Sequence, residues 1–281
     1  MQKMVIALCA LCFCVFASHD TRENQMQENF KKTALVTGAS SGIGKALVIE
    51  LLSQGYTVIG VSRSHEKLTQ LHKNLNNNRL KIIVCDVSNV EEVDKLSTEL
   101  QTEKIIPQLF FLNAGVAGHS AMEPIDSLDV QTHQKIFSVN YYGVLNFVKV
   151  WLEPCKKQGG ATFIVSSSIN AIFAPPGGSA YSASKAAIAK AFDGLRLTHS
   201  SSNLRFLNVF CGPVDTPGLA GKLHFTWSPE KMAKYMIQKA ERRSYQSHPS
   251  WFYSSLARLL NNLPTPWTLK ILGWLSSPKE R

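Results

Sequence analysis

Residues 33–44 read TALVTGASSGIG, and this stretch determines the fold expected for the chain. Thr33–Thr37 is a short apolar, β-rich run typical of a buried strand, and a helical pattern over Ile43–Gln54 follows the glycine-rich turn. Glycines let such a turn approach a pyrophosphate, and the helix N-terminus supplies N–H groups and partial positive charge. An ordinary strand-to-helix turn is the alternative. The candidate phosphate-binding residues are Gly38, Ser40, Ser41, Gly42, Ile43 and Gly44.

The strand–helix unit repeats along the chain, and this repetition predicts the fold class. Near-continuous apolar strands that alternate with helices are typical of a parallel sheet covered on both faces. We therefore expect an α/β fold, a doubly wound parallel sheet (Rossmann fold), in a single domain with a helical C-terminal extension. The predicted strands are 33–37, 57–62, 81–85, 108–112, 162–165 and 205–210, and the predicted helices are 43–54, 66–75, 89–102, 129–153 and 181–199.

Composition and charge divide the chain into three segments. The content of 44% hydrophobic and 18% charged residues excludes a disordered chain, a collagen-like repeat and a coiled coil. Residues 222–281 carry 10 basic and 3 acidic residues, a net charge of +7 out of +10. We expect an apolar segment over 1–25, a nucleotide-binding domain over 26–221, and a substrate lid with a basic, aromatic extension over 222–281. No zinc-finger spacing and no Lys/Arg-dense block supports nucleic-acid binding.

Met4–Ala17 is an uncharged apolar run of 14 residues that follows Lys3. A bilayer-spanning helix takes about 20 residues, so this run is short for one. It fits the hydrophobic region of a secretory signal, with Val15-Phe16-Ala17 as a loose cleavage site. A membrane-proximal anchor and synthesis that starts at Met26 are the two alternatives.

Three cysteines of the main body, Cys85, Cys155 and Cys211, occur singly. A chain of this length does not depend on a disulfide framework, and the spacing of these residues does not match that of metal ligands. We expect them to be reduced, small apolar side chains, and we predict no metal site.

The residues after the second predicted strand indicate which dinucleotide the glycine turn would hold. A carboxylate there would accept the ribose 2′-hydroxyl of NAD, whereas Ser62-Arg63-Ser64 offers a guanidinium that suits a 2′-phosphate. Arg63 therefore favours NADP(H) over NAD(H), with an exposed surface arginine as the alternative. Asp86 and Val87 follow the third strand, where we expect them to meet the adenine. Asn113-Ala114-Gly115 ends the fourth strand beside the cofactor.

The segment Tyr181-Ser182-Ala183-Ser184-Lys185 places a tyrosine and a lysine one helical turn apart. A tyrosine has an ordinary pKa near ~10, so we expect the ammonium of Lys185 to lower the pKa of Tyr181 toward the working range. Ser168 lies just past a predicted strand end, where a loop hydroxyl could polarise a carbonyl. Asn140 lies in a predicted long helix, where a structural hydrogen bond is the alternative to a catalytic role.

Together these motifs resemble those of the short-chain dehydrogenase/reductase family. The resemblance covers about Lys31–Pro217 and rests on TGASSGIG, CDV, NAG, SVNYYG, the serine before YSASK, and CGPVDTP. It implies that Tyr181 is the general acid/base, that Lys185 binds the nicotinamide ribose and tunes Tyr181, and that Ser168 orients the substrate oxygen. It also implies that Asn140 holds a water in the proton path behind Lys185.

The loop after the last long predicted strand carries both a match and a departure. The resemblance implies that Val214 and Thr216 contact the cofactor carboxamide. The family usually has Pro-Gly where this chain has Cys211-Gly212, so the geometry of the loop is left open by the sequence.

The function that the resemblance implies is an NADP(H)-dependent interconversion of a carbonyl and a secondary alcohol. A catalytically idle, dinucleotide-binding regulator or scaffold on the same fold is the alternative. The intact set of Asn140, Ser168, Tyr181 and Lys185 favours the enzyme.

The aromatic and basic residues after Pro217 bear on substrate, partners and location. One interpretation is that they form helices that complete the core. The other is that they form a lid over a hydrophobic substrate, with a basic surface that rests on a membrane. The tail is similar in style to that of relatives acting on lipid-like ketones, such as 3-ketosphinganine reductases, so we expect a small hydrophobic substrate. Assembly into homo-oligomers is open. Because metabolism regenerates reduced cofactor inside the cell, we expect a cytoplasmic enzyme, free or on the cytoplasmic side of a membrane, with an N-terminal signal or anchor as the alternative.

Overall fold

Parallel strands form the centre of the fold. The computed structural model describes residues 32–117, 128–219 and 226–276, and within those ranges seven strands form one sheet. In the order of the chain they are β1 Thr33–Thr37, β2 Thr57–Ser62, β3 Leu80–Val84, β4 Leu109–Leu112, β5 Ala161–Ser168, β6 Leu204–Cys211 and β7 Gln246–Ser247.

The order of the strands across the sheet is β3-β2-β1-β4-β5-β6-β7, and all neighbouring pairs run parallel. From β1 the chain builds outward to β3 on one side and then returns to build β4 to β7 on the other side. Open parallel sheets bind ligands at the carboxyl ends of the strands, beside such a reversal. This topology therefore positions a ligand in the crevice between the ends of β1 and β4.

Helices pack on both faces of this sheet. Leu35 and Val36 are neighbours in β1, yet they belong to two separate hydrophobic clusters because successive strand side chains point to opposite faces. The helices are α1 Gly42–Ser53, α2 His65–Leu75, α3 Val90–Thr102, α4 Val130–Phe137, α5 Gly143–Lys157, α6 Ser179–Thr198, α7 Pro229–Glu241, α8 Trp251–Asn262 and α9 Thr265–Ser276, with a π-helical segment Ser138–Tyr142 and a 3₁₀ turn Ile169–Ala171.

Each face has a distinct core. Leu47 of α1 and Met236 of α7 are fully buried in one cluster. In the other, stacked phenylalanine rings run across the strands, with centroids of Phe110 and Phe163 4.7 Å apart and those of Phe163 and Phe206 5.3 Å apart. The predicted fold class, a doubly wound parallel α/β sheet with C-terminal helices, is confirmed.

Three local predictions were wrong. The predicted helix 129–153 contains a π-helical segment and continues to Lys157, beyond Pro154, because Cys155 in its last turn is fully buried in the core. The predicted strand 162–165 extends to Ser168, since its ladder with β6 continues to the pair Ser168–Cys211. The two-residue strand β7 was not predicted, because two residues are too few to show a periodicity.

The predicted extension over 222–281 contributes to the sheet and to the core. It contains β7, which pairs with β6, and α7, whose Met232, Met236 and Ile237 are buried. The chain divides into two units, Met1–Lys32 and Thr33–Arg281, and every strand and helix above belongs to the second. The run Met4–Ala17, Met26 and the predicted domain boundaries lie outside the described residues. Among the residues that are described, no helix combines the length and apolar character needed to cross a bilayer.

Candidate active site

A cleft of about 660 Å³ lies at the carboxyl ends of β1, β4, β5 and β6. Its volume falls within the ordinary range of small-molecule sites. Most of the site residues predicted from the sequence line this one cleft. They are Gly38, Ser40, Ser41, Gly42, Ile43, Arg63, Val87, Asn113, Ala114, Gly115, Ser168, Tyr181, Lys185, Val214 and Thr216.

Close packing explains the glycines of the turn after β1. Gly38 and Gly42 have φ of +70° and +52°, a region that side chains disfavour. A Cβ atom on Gly44 would lie 2.1 Å from the carbonyl oxygen of Gly38, so only glycine fits there. Gly44 does not line the cleft. The absence of a side chain at Gly44 allows α1 to begin directly against the end of β1.

The start of α1 has the features of an anion site. Ser41 is the N-cap residue, but its side chain makes no capping hydrogen bond, whereas Ser64 and Asn89 cap α2 and α3 with their side chains. The first N–H groups of a helix have no acceptor within it, so an uncapped N-terminus attracts an anion. Ser40, Ser41, Gly42 and Ile43 all line the cleft, so these residues fit the phosphates of a dinucleotide.

Arg63 lies on the cleft wall directly after β2. Its side chain is 62% exposed, and Nη1 lies 3.5 Å from Oδ2 of Asp86. The hydroxyls of Ser40 and Ser62 share a 2.8 Å hydrogen bond that joins the glycine turn to the end of β2. The guanidinium therefore stands at the same end of the cleft as the start of α1, with several donors directed to solvent.

Asp86, which we expect to meet the adenine, is not itself among the residues that line the cleft. Its carboxylate instead accepts hydrogen bonds from the main chain and hydroxyl of Ser88, at 2.9 and 2.7 Å, and pairs with Arg63. Burial raises the pKa of Asp86, but these hydrogen bonds and the charge of Arg63 together hold it below its ordinary value. The adjacent Cys85 and Val87 line the cleft in its place.

Thr37, at the end of β1, fixes the segment Asn113-Ala114-Gly115. Its Oγ1 accepts hydrogen bonds from the main-chain N–H groups of Asn113 and Ala114, both at 3.0 Å. The hydroxyl of Ser166 donates to Oδ1 of Asn113 at 2.9 Å. These bonds tie β1, β4 and β5 together at the floor of the cleft.

The side chains of Ser168 and Tyr181 both line the cleft, and the Ser168 hydroxyl lowers the pKa of Tyr181. Oγ of Ser168 also accepts a 3.1 Å hydrogen bond from the N–H of Asn170. The bond from Asn170 occupies an acceptor position, so the one hydrogen of the Ser168 hydroxyl can be donated either to the oxygen of Tyr181 or to another oxygen in the cleft. Ser168 ends β5, so its position is set by the sheet and not by a loop, contrary to the expectation from the sequence.

Lys185 lies beneath this pair and is almost fully buried, with 6% exposure. Its Nζ donates a 2.7 Å hydrogen bond to the carbonyl of Ser166 and lies 5.7 Å from the ring centroid of Tyr181. Burial lowers the pKa of Lys185 from 10.5 to about 8.

Lys185 was expected to lower the pKa of Tyr181, and in this structure the pKa is instead raised from 10.0 to about 12. Burial is the largest cause, and the hydrogen bond with Ser168 opposes it. Burial lowers the pKa of Lys185 as well, so it disfavours the charged form of both side chains. Lys185 favours the phenolate of Tyr181 only in its protonated form.

Asn140 lies behind the cleft in the π-helical segment and is fully buried. Its Oδ1 accepts from the N–H of Val116 at 2.7 Å, and its Nδ2 donates to the carbonyl of Val116 and to the hydroxyl of Ser184, both at 3.1 Å. The Ser184 hydroxyl in turn donates to the carbonyl of Tyr181 at 2.7 Å. Asn140 therefore connects Val116, in the segment after β4, to the helix that carries Tyr181 and Lys185, and it is not among the residues that line the cleft.

Sequence reasoning missed several residues of the cleft wall. Cys211, Ser166 and Pro213 line it. Cys211 and Pro213 lie within the recognised motif CGPVDTP, and Ser166 lies two residues before Ser168. If β5 had been predicted to extend through Ser168, Ser166 and Cys211 would also have been predicted at the site. β5 and β6 end side by side, at the pair Ser168–Cys211. The role of Ser184 has no signal in the sequence, because it depends on the packing of α6 against the π-helical segment.

Comparison with known proteins agrees with this geometry. The family model described as short chain dehydrogenase matches residues 32–224. An uncharacterized oxidoreductase of Staphylococcus haemolyticus is 32% identical over 192 residues, which cover 68% of this chain and 82% of that protein. An NADPH-dependent 1-acyldihydroxyacetone phosphate reductase of Saccharomyces cerevisiae is 33% identical over 193 residues, which cover 69% of this chain and 64% of the yeast protein.

Solved structures show the same fold. A short chain dehydrogenase from Burkholderia cenocepacia, in complex with NADP, superposes with a TM-score of 0.72 at 25% identity and covers 88% of this chain and 98% of that one. The sheet order, the glycine turn and the cleft with its tyrosine and lysine thus agree with the sequence relationship. This chain belongs to the short-chain dehydrogenase/reductase family of oxidoreductases.

Proposed function

We propose that this protein uses NADP(H) to interconvert a carbonyl group and a secondary alcohol, and that its substrate is a hydrophobic, lipid-like ketone. One observation carries the proposal. Ser168 and Tyr181 line the same cleft as the uncapped start of α1, and Nζ of Lys185 lies 5.7 Å from the ring centroid of Tyr181. This arrangement can bind a dinucleotide and a carbonyl group together.

The chemistry follows from the donors in the cleft. Bound NADP(H) would supply or accept the hydride. The hydroxyls of Ser168 and Tyr181 would both face the substrate oxygen, where Ser168 donates a hydrogen bond and Tyr181 gives or takes the proton at its phenolic oxygen. Protonated Lys185, whose Nζ lies 5.7 Å from the ring centroid of Tyr181, would favour loss of the tyrosine proton. Asn140 keeps α6 in register and, in this proposal, binds a water behind Lys185.

The preference for NADP(H) rests on Arg63. The guanidinium stands beside the start of α1 and can pair with a 2′-phosphate through several donors. Two relatives support the choice by their names, since the yeast protein is an NADPH-dependent reductase and the Burkholderia structure holds NADP. Among the described residues, no group of three or more His, Cys, Asp or Glu side chains could hold a metal ion, and the proposal uses none.

The lining of the cleft supports a hydrophobic substrate. Ile169, Pro175 and Leu219 line it together with Ser168 and Tyr181. Further lining is apolar, at Val116, Ala117 and Pro217. An apolar wall around a few polar groups is the usual composition of a site for an apolar ligand. The substrate in the yeast relative's name, an acylated dihydroxyacetone phosphate, is also a lipid-like ketone.

We propose that the enzyme works in the cytoplasm or on the cytoplasmic side of a membrane. NADPH is regenerated by metabolism, so an exported enzyme would lack its hydride source. Cys85, Cys155 and Cys211 are buried free thiols, in keeping with a reducing compartment.

The direct test is a spectrophotometric screen of NADPH oxidation with ketones and aldehydes that differ in chain length, including 3-keto lipids and acylated dihydroxyacetone derivatives. We expect turnover that increases with the apolar length of the ketone. Turnover restricted to short polar carbonyls would overturn the substrate class. Binding of NADPH without turnover of any compound would favour the cofactor-binding regulator.

A further inference from the structure

The two C-terminal helices expose an unusual amount of apolar surface. Five of the thirteen exposed large hydrophobic side chains in the described part of the chain lie in α8 and α9. Trp251 and Trp267 are the most exposed of these five, at 77% and 62%. Exposed tryptophans in this number are typical of a surface that meets a partner. The other three are Phe252, Leu259 and Leu269.

The exposed residues of α8 lie on one side of that helix. Ser254, Ala257 and Leu260 are buried at helical spacing, and they hold the opposite side of α8 against the protein. The outward side carries Trp251, Phe252, Arg258 and Leu259. These exposed apolar side chains therefore lie on the surface of the protein and do not belong to its hydrophobic core.

A side-chain hydrogen bond joins α9 to α8. The hydroxyl of the buried Thr268 donates a 3.2 Å hydrogen bond to the carbonyl of Leu260. Trp267 and Lys270 are exposed on α9, with the ammonium 5.8 Å from the indole centroid. We call the outward residues Trp251, Phe252, Arg258, Leu259, Trp267, Leu269 and Lys270 the C-terminal surface.

The charge of this region favours an anionic partner. From Arg242 to Lys279 the sequence contains no aspartate and no glutamate, while Arg242, Arg243, Arg258, Lys270 and Lys279 are basic. Aromatic side chains interleaved with basic ones, without acidic residues, suit the interface of a bilayer with anionic headgroups. A protein partner with a hydrophobic patch would explain the aromatic residues but not the absence of acidic residues.

The position of the C-terminal surface links it to the cleft. α8 begins beside Gly212, where a Cβ atom would lie 3.5 Å from Cβ of Ser250, and Gly212 lines the cleft. α8 also packs on the 3₁₀ turn Ile169–Ala171, which follows Ser168 directly. A surface anchored there would bring the cleft close to whatever α8 rests on.

We propose that the C-terminal surface docks this enzyme on an anionic lipid bilayer, with the apolar side chains in the interface and Arg258 and Lys270 at the headgroups. The benefit of docking rests on the proposed function, since a lipid-like ketone resides in a bilayer. The docking itself does not require that the enzyme be active.

The experiment is sedimentation of the full-length protein with vesicles of phosphatidylcholine, with and without phosphatidylserine. We expect binding to the anionic vesicles that weakens as salt is raised. Trp251→Ser with Trp267→Ser should reduce the affinity at least about tenfold, and Lys270→Gln about fivefold. Leu197→Ser and Lys190→Gln are matched controls on α6, because both side chains are highly exposed far along the sequence from this surface.

Absence of vesicle binding would overturn the proposal. So would binding that the double tryptophan variant retains in full, because another segment of the chain would then be responsible. Sedimentation velocity without lipid is the second measurement. If the wild type self-associates, the double variant does not, and neither binds vesicles, the surface is an interface between copies of this chain and the proposal fails. Turnover of a short water-soluble ketone by the double variant, measured in parallel, reports on the proposed function separately.

Discussion

The ammonium of Lys185 donates a 2.7 Å hydrogen bond to the main-chain carbonyl of Ser166, and both residues line the cleft. This bond holds the lysine at the floor of the site, 5.7 Å from the ring centroid of Tyr181. A single carbonyl and the ring do not replace the water that burial removes, so the protonated lysine is destabilised.

The lowered pKa of Lys185 predicts a specific dependence of stability on pH. The value is about 8 in the folded chain and 10.5 ordinarily. Below pH 8 the lysine is charged in both the folded and the unfolded chain, so the whole cost of burying the charge weakens the fold. As the pH rises from about 8 to 10.5, the folded chain releases its proton first, and the cost disappears.

Urea unfolding of the cofactor-free protein across this pH range measures the effect. The stability of the wild type relative to Lys185→Met should rise between pH 8 and 10.5. A difference between the two proteins that is independent of pH would show that Lys185 is not buried as the structure has it.

Ser184 connects Asn140 to Tyr181 through two hydrogen bonds, so we expect its loss to be costly. In Ser184→Ala, Nδ2 of Asn140 loses an acceptor and the Tyr181 carbonyl loses a donor in the core. We expect a loss of about 1–3 kcal/mol in the free energy of unfolding, measured by urea denaturation.

Ser182 is the matched control on the same helix. Its Oγ is buried and finds no hydrogen-bond partner within the described ranges, so Ser182→Ala should leave the free energy of unfolding nearly unchanged. If the two alanine variants lose equal stability, the hydrogen bonds of Ser184 make no specific contribution to the free energy of unfolding.

Two glycine-to-alanine changes, one in the glycine turn and one in α6, should have opposite effects. Gly44→Ala would place a methyl group 2.1 Å from the carbonyl oxygen of Gly38, which forces the turn apart. We expect loss of NADPH binding with marked destabilisation. A Cβ atom on Gly194 meets nothing within 4 Å, and Gly194→Ala should stabilise α6 by about 0.5–1 kcal/mol. Calorimetric NADPH titration and thermal unfolding check both, and tight binding by Gly44→Ala would contradict the turn geometry.

Arg63 should select the cofactor. In Arg63→Asp a charge-assisted contact with the 2′-phosphate becomes a repulsion, so NADPH affinity should fall much more than NADH affinity. Lys67→Asp makes the same change of charge on an exposed position of α2 that does not line the cleft, and it should have little effect. Equal weakening of both cofactors in Arg63→Asp would remove the basis for the NADP(H) preference.

The centre of the sheet could be predicted from the sequence because β1, β4, β5 and β6 are buried on both faces. The run TALVT of β1 and the six residues of β2 have continuous apolar character, and their bounds were predicted to the residue. The turn after β1 could also be predicted, because its geometry depends on glycines and serines within the turn itself.

Contacts between distant segments could not be predicted. The pairing of Asp86 with Arg63 depends on how the ends of β2 and β3 align, and the π-helical turn at Asn140 is stabilised by the carbonyl and N–H of Val116. The raised pKa of Tyr181 depends on burial, which spacing along a helix does not reveal. Residue types and spacing therefore predicted which side chains share the site, but not their hydrogen bonds.

The central claim is that Tyr181 moves the proton at the substrate oxygen, and steady-state kinetics of Tyr181→Phe with NADPH and a ketone found by the screen test it most directly. Only the phenolic hydroxyl is lost, so kcat should fall by about 10²–10⁴ while the Kd for NADPH stays close to that of the wild type. Tyr245→Phe removes the hydroxyl of an exposed tyrosine away from the cleft and should behave as the wild type. A Tyr181→Phe variant that keeps its kcat within about threefold of the wild type would contradict the claim.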